Sequence, residues 1–345
     1  MYYSVLFPTE ESSRLPRQKT APESFRDLNI DKIMKPVVQE NPELQLEEFF
    51  YTPLADPAVI KYRQEVMKEL MEPEKRFAIE SMVGQITFLR MFMDGLRMKL
   101  TTDGKFTGKY LDMGHLLENA ALFSNVVAGL AESVKRMELH SEGLQQFAVY
   151  MGEYSASSKF KEMQEWAAKL RANFDKLRYC LYIKENLVRV APYEGQEDYA
   201  DRVGELFARF RQGDVMDYRR KLKEEPLSEG LENKILEMLA HYHPAEFKDL
   251  TAFCQEYLHF DDDTLMRFAR EIQFYFHWLD FLEPLRQAGL PFCFPVIHEK
   301  LDDVKALDCF DLALAMDKAD KIVTNSFTLT APEQILIVSG PNQGG

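Results

Sequence analysis

The sequence predicts a mainly α-helical protein: long helical blocks around a small β-hairpin, followed by the opening strands of an incomplete domain of another type. Three observations carry this. Residues 75–175 hold almost no strand signal and no proline. From Tyr179 to Val190 the apolar period changes to two. At the end, the short apolar run Gln334–Ser339 enters a glycine-rich turn, Gly340-Pro341-Asn342-Gln343-Gly344-Gly345. The expected divisions are 1–48, a segment of short helices; 49–285, a helical body with its hairpin near 179–190; and 286–345, the start of the last domain.

Each element has a local reason. Residues 1–48 carry Pro8, Pro16, Pro22, Pro36 and Pro42, so their helices should be short and packed on a larger body. A helix starts at Pro57, where Asp56 suits the cap and proline the first turn. Ile79, Met82, Val83, Ile86, Phe88, Leu89, Phe92 and Met93 crowd all sides of the next helix, which predicts burial all round. A break at Thr101–Gly108 precedes a helix through Leu116, Leu122, Val127 and Leu130, and a further helix covers Met163–Leu177. Tyr179–Lys184 and Leu187–Val190 alternate around Glu185-Asn186, a two-residue hairpin loop. In the second block His243-Pro244 opens one helix. Asp261-Asp262-Asp263 caps the next, whose run from Ile272 to Leu282 is apolar nearly all round and therefore central.

Composition narrows the classes. The chain has 345 residues, 46% apolar and 28% charged, which fits a globular protein of two or three structural units. No apolar run approaches the roughly 20 residues of a membrane span, and the first residues lack a secretory pattern. A cytoplasmic protein with no membrane partner is the expectation. Cys180, Cys254, Cys293 and Cys309 form no paired motif and read as reduced thiols. The formal charge of −14 excludes a uniformly basic coat but not a local basic patch. Such a patch is expected at Lys184 and Arg189 on the hairpin and at Arg209, Arg211, Arg219, Arg220, Lys221 and Lys223 beyond it. Acidic neighbours Asp214, Asp217, Glu224 and Glu225 favour a solvated helical face for any one of these.

No catalytic constellation stands out. His241 and His243 lack third and fourth ligands at zinc spacing, and Asp261–Asp263 lacks the glycine and distal glutamate of a calcium loop. No metal site is expected. The terminal turn is different. A strand leading into Gly-x-x-x-x-Gly is the front half of a phosphate-binding P-loop, whose glycines let backbone N–H groups turn inward around a phosphate. The motif continues with Lys and Ser or Thr, and this sequence stops before them. The expectation is a fragment of a nucleotide-binding protein, ending inside its site.

Three segments in order resemble the MutS family of DNA-repair ATPases. The first is Pro53–Val66, with its Pro-Leu, Ile60, Arg63-Gln64 and Val66. The second is Trp278–Leu282 leading to Leu290–Pro295. The third is Val323-Thr324-Asn325-Ser326, then Ile335–Val338 and Gly340–Gly345. The Pro-Asn within the last motif is its specific part. The resemblance implies a MutS-like core and lever region from about residue 45, the hairpin near a distal DNA clamp, and the first strands of an ATPase domain. It implies that Gly340, Pro341, Asn342, Gln343, Gly344 and Gly345 hold ATP phosphates. Asn325 would orient the site, although a plain turn role is equally consistent with its neighbours. Ile322 stands where the family stacks an aromatic on adenine. ATP and Mg²⁺ are the implied cofactors of an intact parent, none being expected bound here. Double-stranded or branched DNA is the implied ligand, and the missing ATPase domain the implied homodimer contact.

The sequence departs from mismatch-reading relatives. Too little chain precedes residue 50 for their wedge domain, and Phe160-Lys161-Glu162 and Phe281-Leu282-Glu283 fall inside predicted helices. Direct mismatch reading, ATP hydrolysis and tight nucleotide binding are therefore not expected of this chain. Two other classes remain: an SMC-like P-loop ATPase, although there the P-loop precedes the long helices, and a non-enzymatic helical interaction module.

Overall fold

A computed structural model describes residues 2–14, 16–39, 42–184, 187–196, 229–298, 303–318, 322–330, 335 and 337. Among these residues the chain is mainly helical, with three antiparallel two-stranded sheets. Short helices come first: α1 (Glu10–Ser13), α2 (Ser24–Asp27), α3 (Ile30–Gln39) and α4 (Glu47–Tyr51). Next are α5 (Pro57–Leu70), α6 (Pro73–Leu100), β1 (Thr101–Thr102), β2 (Lys105–Phe106), α7 (Tyr110–Arg136), α8 (Glu142–Ala156) and α9 (Ser158–Phe174). The hairpin β3 (Tyr179–Lys184) and β4 (Leu187–Pro192) follows. After it are α10 (Glu229–Tyr242), α11 (Pro244–Glu256), α12 (Asp263–Glu271), α13 (Gln273–Gln287), β5 (Asp303–Cys309), α14 (Leu312–Lys318) and β6 (Asn325–Thr330). Among the described residues no helix is long and apolar enough to cross a membrane.

The start signals read from sequence are physically present. Asp56 Oδ1 accepts from Ala58 N at 2.8 Å, with Pro57 in the first turn of α5. Asp262 Oδ1 accepts from Leu265 N at 2.9 Å at the head of α12, and Pro244 begins α11. α12 and α13 are separated only at Ile272, whose backbone stays helical, so the central run is nearly continuous. The break after α6 is a tight turn. Asp103 and Gly104 both take positive φ (51° and 74°), the geometry that lets a two-residue loop join twisted strands.

One expectation is corrected. α6 is not buried all round. Ile79, Val83, Ile86, Leu89, Met93, Leu96 and Leu100 form a buried stripe at spacings of three and four, as in a coiled-coil seam. Phe88 and Phe92 lie off that stripe and are 67% and 47% exposed. A 28-residue helix turns a full circle every 3.6 residues, so apolar residues placed all round cannot all meet one neighbour.

The described residues form two units. Unit 1 comprises residues 1–87, 127–155 and 261–345; unit 2 comprises 88–126 and 156–260. In unit 1 the core gathers around α12 and α13. Phe268 stacks on Phe147 at 3.5 Å between ring centroids, with Tyr3 5.7 Å from Phe147. The segment Ser4–Phe7 bends through this core, with Leu6 N and Phe7 N donating to Ser4 Oγ at 3.2 and 3.1 Å, and its other polar atoms are met one by one. Ser4 Oγ and Val5 N donate to Glu271 Oε2 at 2.6 and 3.1 Å. Tyr62 and Tyr275 donate their hydroxyls to the carbonyls of Ser4 and Val5 at 2.7 and 2.8 Å, and Arg63 Nε donates to that of Leu6 at 3.0 Å. Gly143 lets α8 approach α5: a Cβ there would meet Val66 Cγ2 at 2.7 Å. Glu69 closes the turn before α8, accepting from His140 N, Ser141 N and Ser141 Oγ at 2.8, 2.8 and 2.5 Å and pairing with Lys75 at 2.9 Å.

In unit 2, α9 and α11 pack through Trp166, whose ring meets Phe253 edge-on at 5.5 Å and whose Nε1 donates to Asp249 at 3.1 Å. Phe160 is buried in α9 and Phe281 lies within α13, so neither Phe-x-Glu match is a free wedge. All four cysteines are free thiols, and burial pushes that of Cys254 up to about 12.

Candidate nucleic-acid interface and nucleotide site

The hairpin has one face inward and one outward, as its period of two requires. Val190 is buried in a cluster with Ile235, Leu239 and Phe247, against which Val188, Tyr110, Phe174 and Leu177 also pack. The alternate positions face water. Tyr182 and Arg189 are directly paired across the strands and both exposed, so an aromatic ring and a guanidinium share the outer face. Arg189 makes no ion pair among the described residues. Lys184 pairs with Leu187 at the last position before the turn.

Unit 2 places further bases around the same cluster. Lys109 and Lys176 neighbour in sequence Tyr110 and Leu177, which pack beneath the hairpin, and Arg178 immediately precedes β3; all three are exposed. Lys105 is exposed on β2 nearby in the chain. Sequence reading passed over these residues because they are scattered along the chain. The available signal was their position beside the apolar residues that anchor the hairpin. Acidic Asp175 and Glu194 lie among them, so the surface is mixed in sign. Arg209, Arg211, Arg219, Arg220, Lys221 and Lys223 lie outside the described residues, as do the turn residues Glu185 and Asn186.

At the other expected site, β5 and β6 pair antiparallel from Asp303↔Thr330 to Cys309↔Asn325, with a bulge between Ala306 and Cys309. Asp308 sits in the bulge at φ 49°, its N–H held by Ser326 Oγ at 2.9 Å. Asn325 opens β6. Its side-chain amide donates back to Val323 O at 3.4 Å, a local bond of the turn-forming kind. Ile322 is half-buried just before it. Gly340, Pro341, Asn342, Gln343, Gly344 and Gly345 lie outside the described residues. The buried strand expected over 334–339 is corrected where it is described: Ile335 and Ile337 have no strand pairing and are 80% and 86% exposed. No described layer covers them, and an apolar run is buried only where a second surface meets it.

Among the described residues, no three of His, Cys, Asp and Glu are grouped to hold a metal ion. Comparison with family models, with curated proteins and with solved structures gives no match.

Proposed function

We propose that the chain belongs to an ATP-gated, DNA-binding protein of the MutS type, of which it supplies the DNA-engaging helical region and the start of the nucleotide domain. The observation that carries this reading is the motif Gly340–Gly345, with Pro-Asn inside the glycines, placed after an apolar run and downstream of two helical blocks. In this reading the backbone N–H groups of Asn342, Gln343, Gly344 and Gly345 face ATP phosphates, and Asn325 and Ile322 border the nucleotide. Mg²⁺ would need the hydroxyl that follows the motif's lysine. DNA meets the outer face of β3–β4, where Tyr182 stacks or packs and Arg189, Lys184 and the flanking bases bind phosphates. The reading also assigns phosphate contacts to Arg209, Arg211, Arg219, Arg220, Lys221 and Lys223, on the basicity of that stretch alone. Nucleotide-driven pairing of two ATPase domains would turn the helical arms as rigid bodies.

The bare ribbon β5–β6 supports this reading. Val304, Leu307 and Val323 are exposed on or beside it, as expected of strands awaiting a larger α/β layer. Support for DNA binding comes from the solvent face of the hairpin, held in place from below by Val190.

Fluorescence anisotropy with labelled duplex, branched and single-stranded DNA over a salt series tests it. Binding should weaken steeply with salt. Arg189→Glu, or the double change Arg219→Glu, Arg220→Glu, should lower the slope by roughly 0.9 for each phosphate that the variant no longer neutralises. Absence of binding at low salt, or variants with unchanged slope, refutes the DNA reading. A second reading, a helical interaction module without nucleotide chemistry, is favoured by one observation. Phe88, Met91, Phe92 and Met98 form a bare apolar face on α6 within unit 2.

A further inference from the structure

Unit 1 contains an apolar cavity of about 570 Å³, within the range of small-molecule sites. Its walls come from α5 and α13 and from the extended segment after α13, with Ile60, Met67, Trp278, Leu282, Phe292 and Phe294 among the lining. That segment is fastened. Gln64 Nε2 donates to Pro295 O at 2.9 Å, Lys68 Nζ stands 4.9 Å over the Phe294 ring, and Phe292 meets Phe310 edge-on at 5.4 Å.

The charges around the cavity are unbalanced. Arg63 and Arg286 line it, and no Asp or Glu does. Arg63 is 8% exposed, its guanidinium lying between the rings of Phe7 at 4.8 Å and Phe274 at 5.3 Å. Its Nε serves Leu6 O, and among the described residues it has no ion pair. Glu271 acts on it only through the field, since that carboxylate is bonded to Ser4 and Val5. Arg286 is exposed, and its side chain makes no bond to any described residue. Arg63 therefore has the field of a carboxylate but no carboxylate bonded to it, and Arg286 has neither among the described residues. An anion brought to such a guanidinium at the edge of an apolar cavity is bound more strongly than in open water.

We propose that this cavity binds a small anionic amphiphile: a carboxylate head group met by Arg286 near the end of α13, and an apolar body held between the aromatic and methionine walls. Arg63 adds positive charge beside Phe274, near the start of that helix. A neutral apolar ligand would leave the Arg286 guanidinium unanswered, and a cationic one would meet repulsion from both arginines. This proposal is independent of the DNA reading, because none of the residues named for DNA or nucleotide lines the cavity.

The sequence has two tryptophans, and Trp278 lines the cavity while Trp166 lies in unit 2. Emission of Trp278 in a Trp166→Phe chain therefore reports occupancy. Decanoate, titrated below its micelle concentration, should change that emission saturably. Decanol should bind at least about tenfold more weakly, and decyltrimethylammonium should not bind. Arg286→Ala should weaken decanoate about tenfold and leave decanol unchanged, as expected for one charge-assisted hydrogen bond. Ile60→Phe, which fills the cavity, should abolish both signals, with circular dichroism confirming the fold of each variant. No saturable change, equal affinity for the three probes, or unchanged decanoate binding by Arg286→Ala overturns the proposal.

Discussion

Ser4–Phe7 and the ribbon β5–β6 are both non-helical segments of unit 1, and they are held in opposite ways. Ser4–Phe7 pairs with no strand, yet Ser4, Val5, Leu6 and Phe7 are all buried and their polar atoms are met by side chains. The ribbon satisfies its backbone by pairing with itself and leaves Val304 and Leu307 bare. Hydrogen bonding and apolar burial are thus separable. A segment can satisfy its polar groups and still lack a cover, and only the covered one contributes hydrophobic stabilisation.

The largest effect should come from the ring stack beside Ser4–Phe7. Phe268→Ala removes a fully buried ring that stacks on Phe147 and leaves a cavity that rigid helices cannot close. The expected loss is about 3–5 kcal/mol by urea denaturation. A loss under about 1 kcal/mol would mean that the segment's surroundings are loosely packed. Next comes Glu271→Ala, which leaves the Ser4 hydroxyl and the Val5 N–H buried without their acceptor. About 2–3 kcal/mol is expected, and an unchanged urea midpoint would show that the segment is not anchored there.

A pH series sharpens the contrast between two anchoring carboxylates of unit 1. Burial pushes Glu271 above the ordinary value of 4.5, and bonds from Ser4 and Val5 with the Arg267 charge relieve this only in part. Burial also acts upward on Glu69, but hydrogen bonds from Ser141, Lys75 and His140 outweigh it and hold Glu69 below 4.5. A raised folded value means that the folded chain binds the proton more tightly. The Glu271 contribution is therefore full below the ordinary range and lost as pH rises through its raised value. The Glu69 contribution is present above the ordinary range and lost as pH falls through its lowered value. Urea midpoints from acid to neutral pH should accordingly lose the descending limb in Glu271→Gln and the acid-side fall in Glu69→Gln. Parallel curves for wild type and both variants would contradict the assignment.

Much of the fold was legible because its signals are local. Asp56-Pro57, Asp262 and His243-Pro244 mark helix starts within one turn, and period-two alternation marks β3–β4. Asp103-Gly104 was equally readable as a tight turn, since both positions tolerate positive φ. The anchoring of Ser4–Phe7 was not legible: Glu271 lies 267 residues from Ser4, and nothing near either residue names the other. Nor was the exposed side of α6, because apolar content tells how much surface a helix offers and not how many neighbours take it. For the candidate site, the residue types suited to phosphate binding could be read directly. The pairing of Tyr182 with Arg189 follows from the two-residue loop, whereas the exposure of that face, and the placement of Arg63 and Arg286 on one apolar cavity, required three dimensions.

The smallest effect should come from the ribbon. Leu307 is 66% exposed at the bulge of β5, so Leu307→Lys removes little burial and lets the ammonium remain in water. The backbone bonds that hold β5 to β6 do not involve the side chain and persist. A change within about 0.5 kcal/mol is expected by urea denaturation, with reduced self-association by light scattering because a charged edge discourages strand addition. A loss above about 1.5 kcal/mol would show that another surface already covers Leu307, and the contrast with Ser4–Phe7 would then fail.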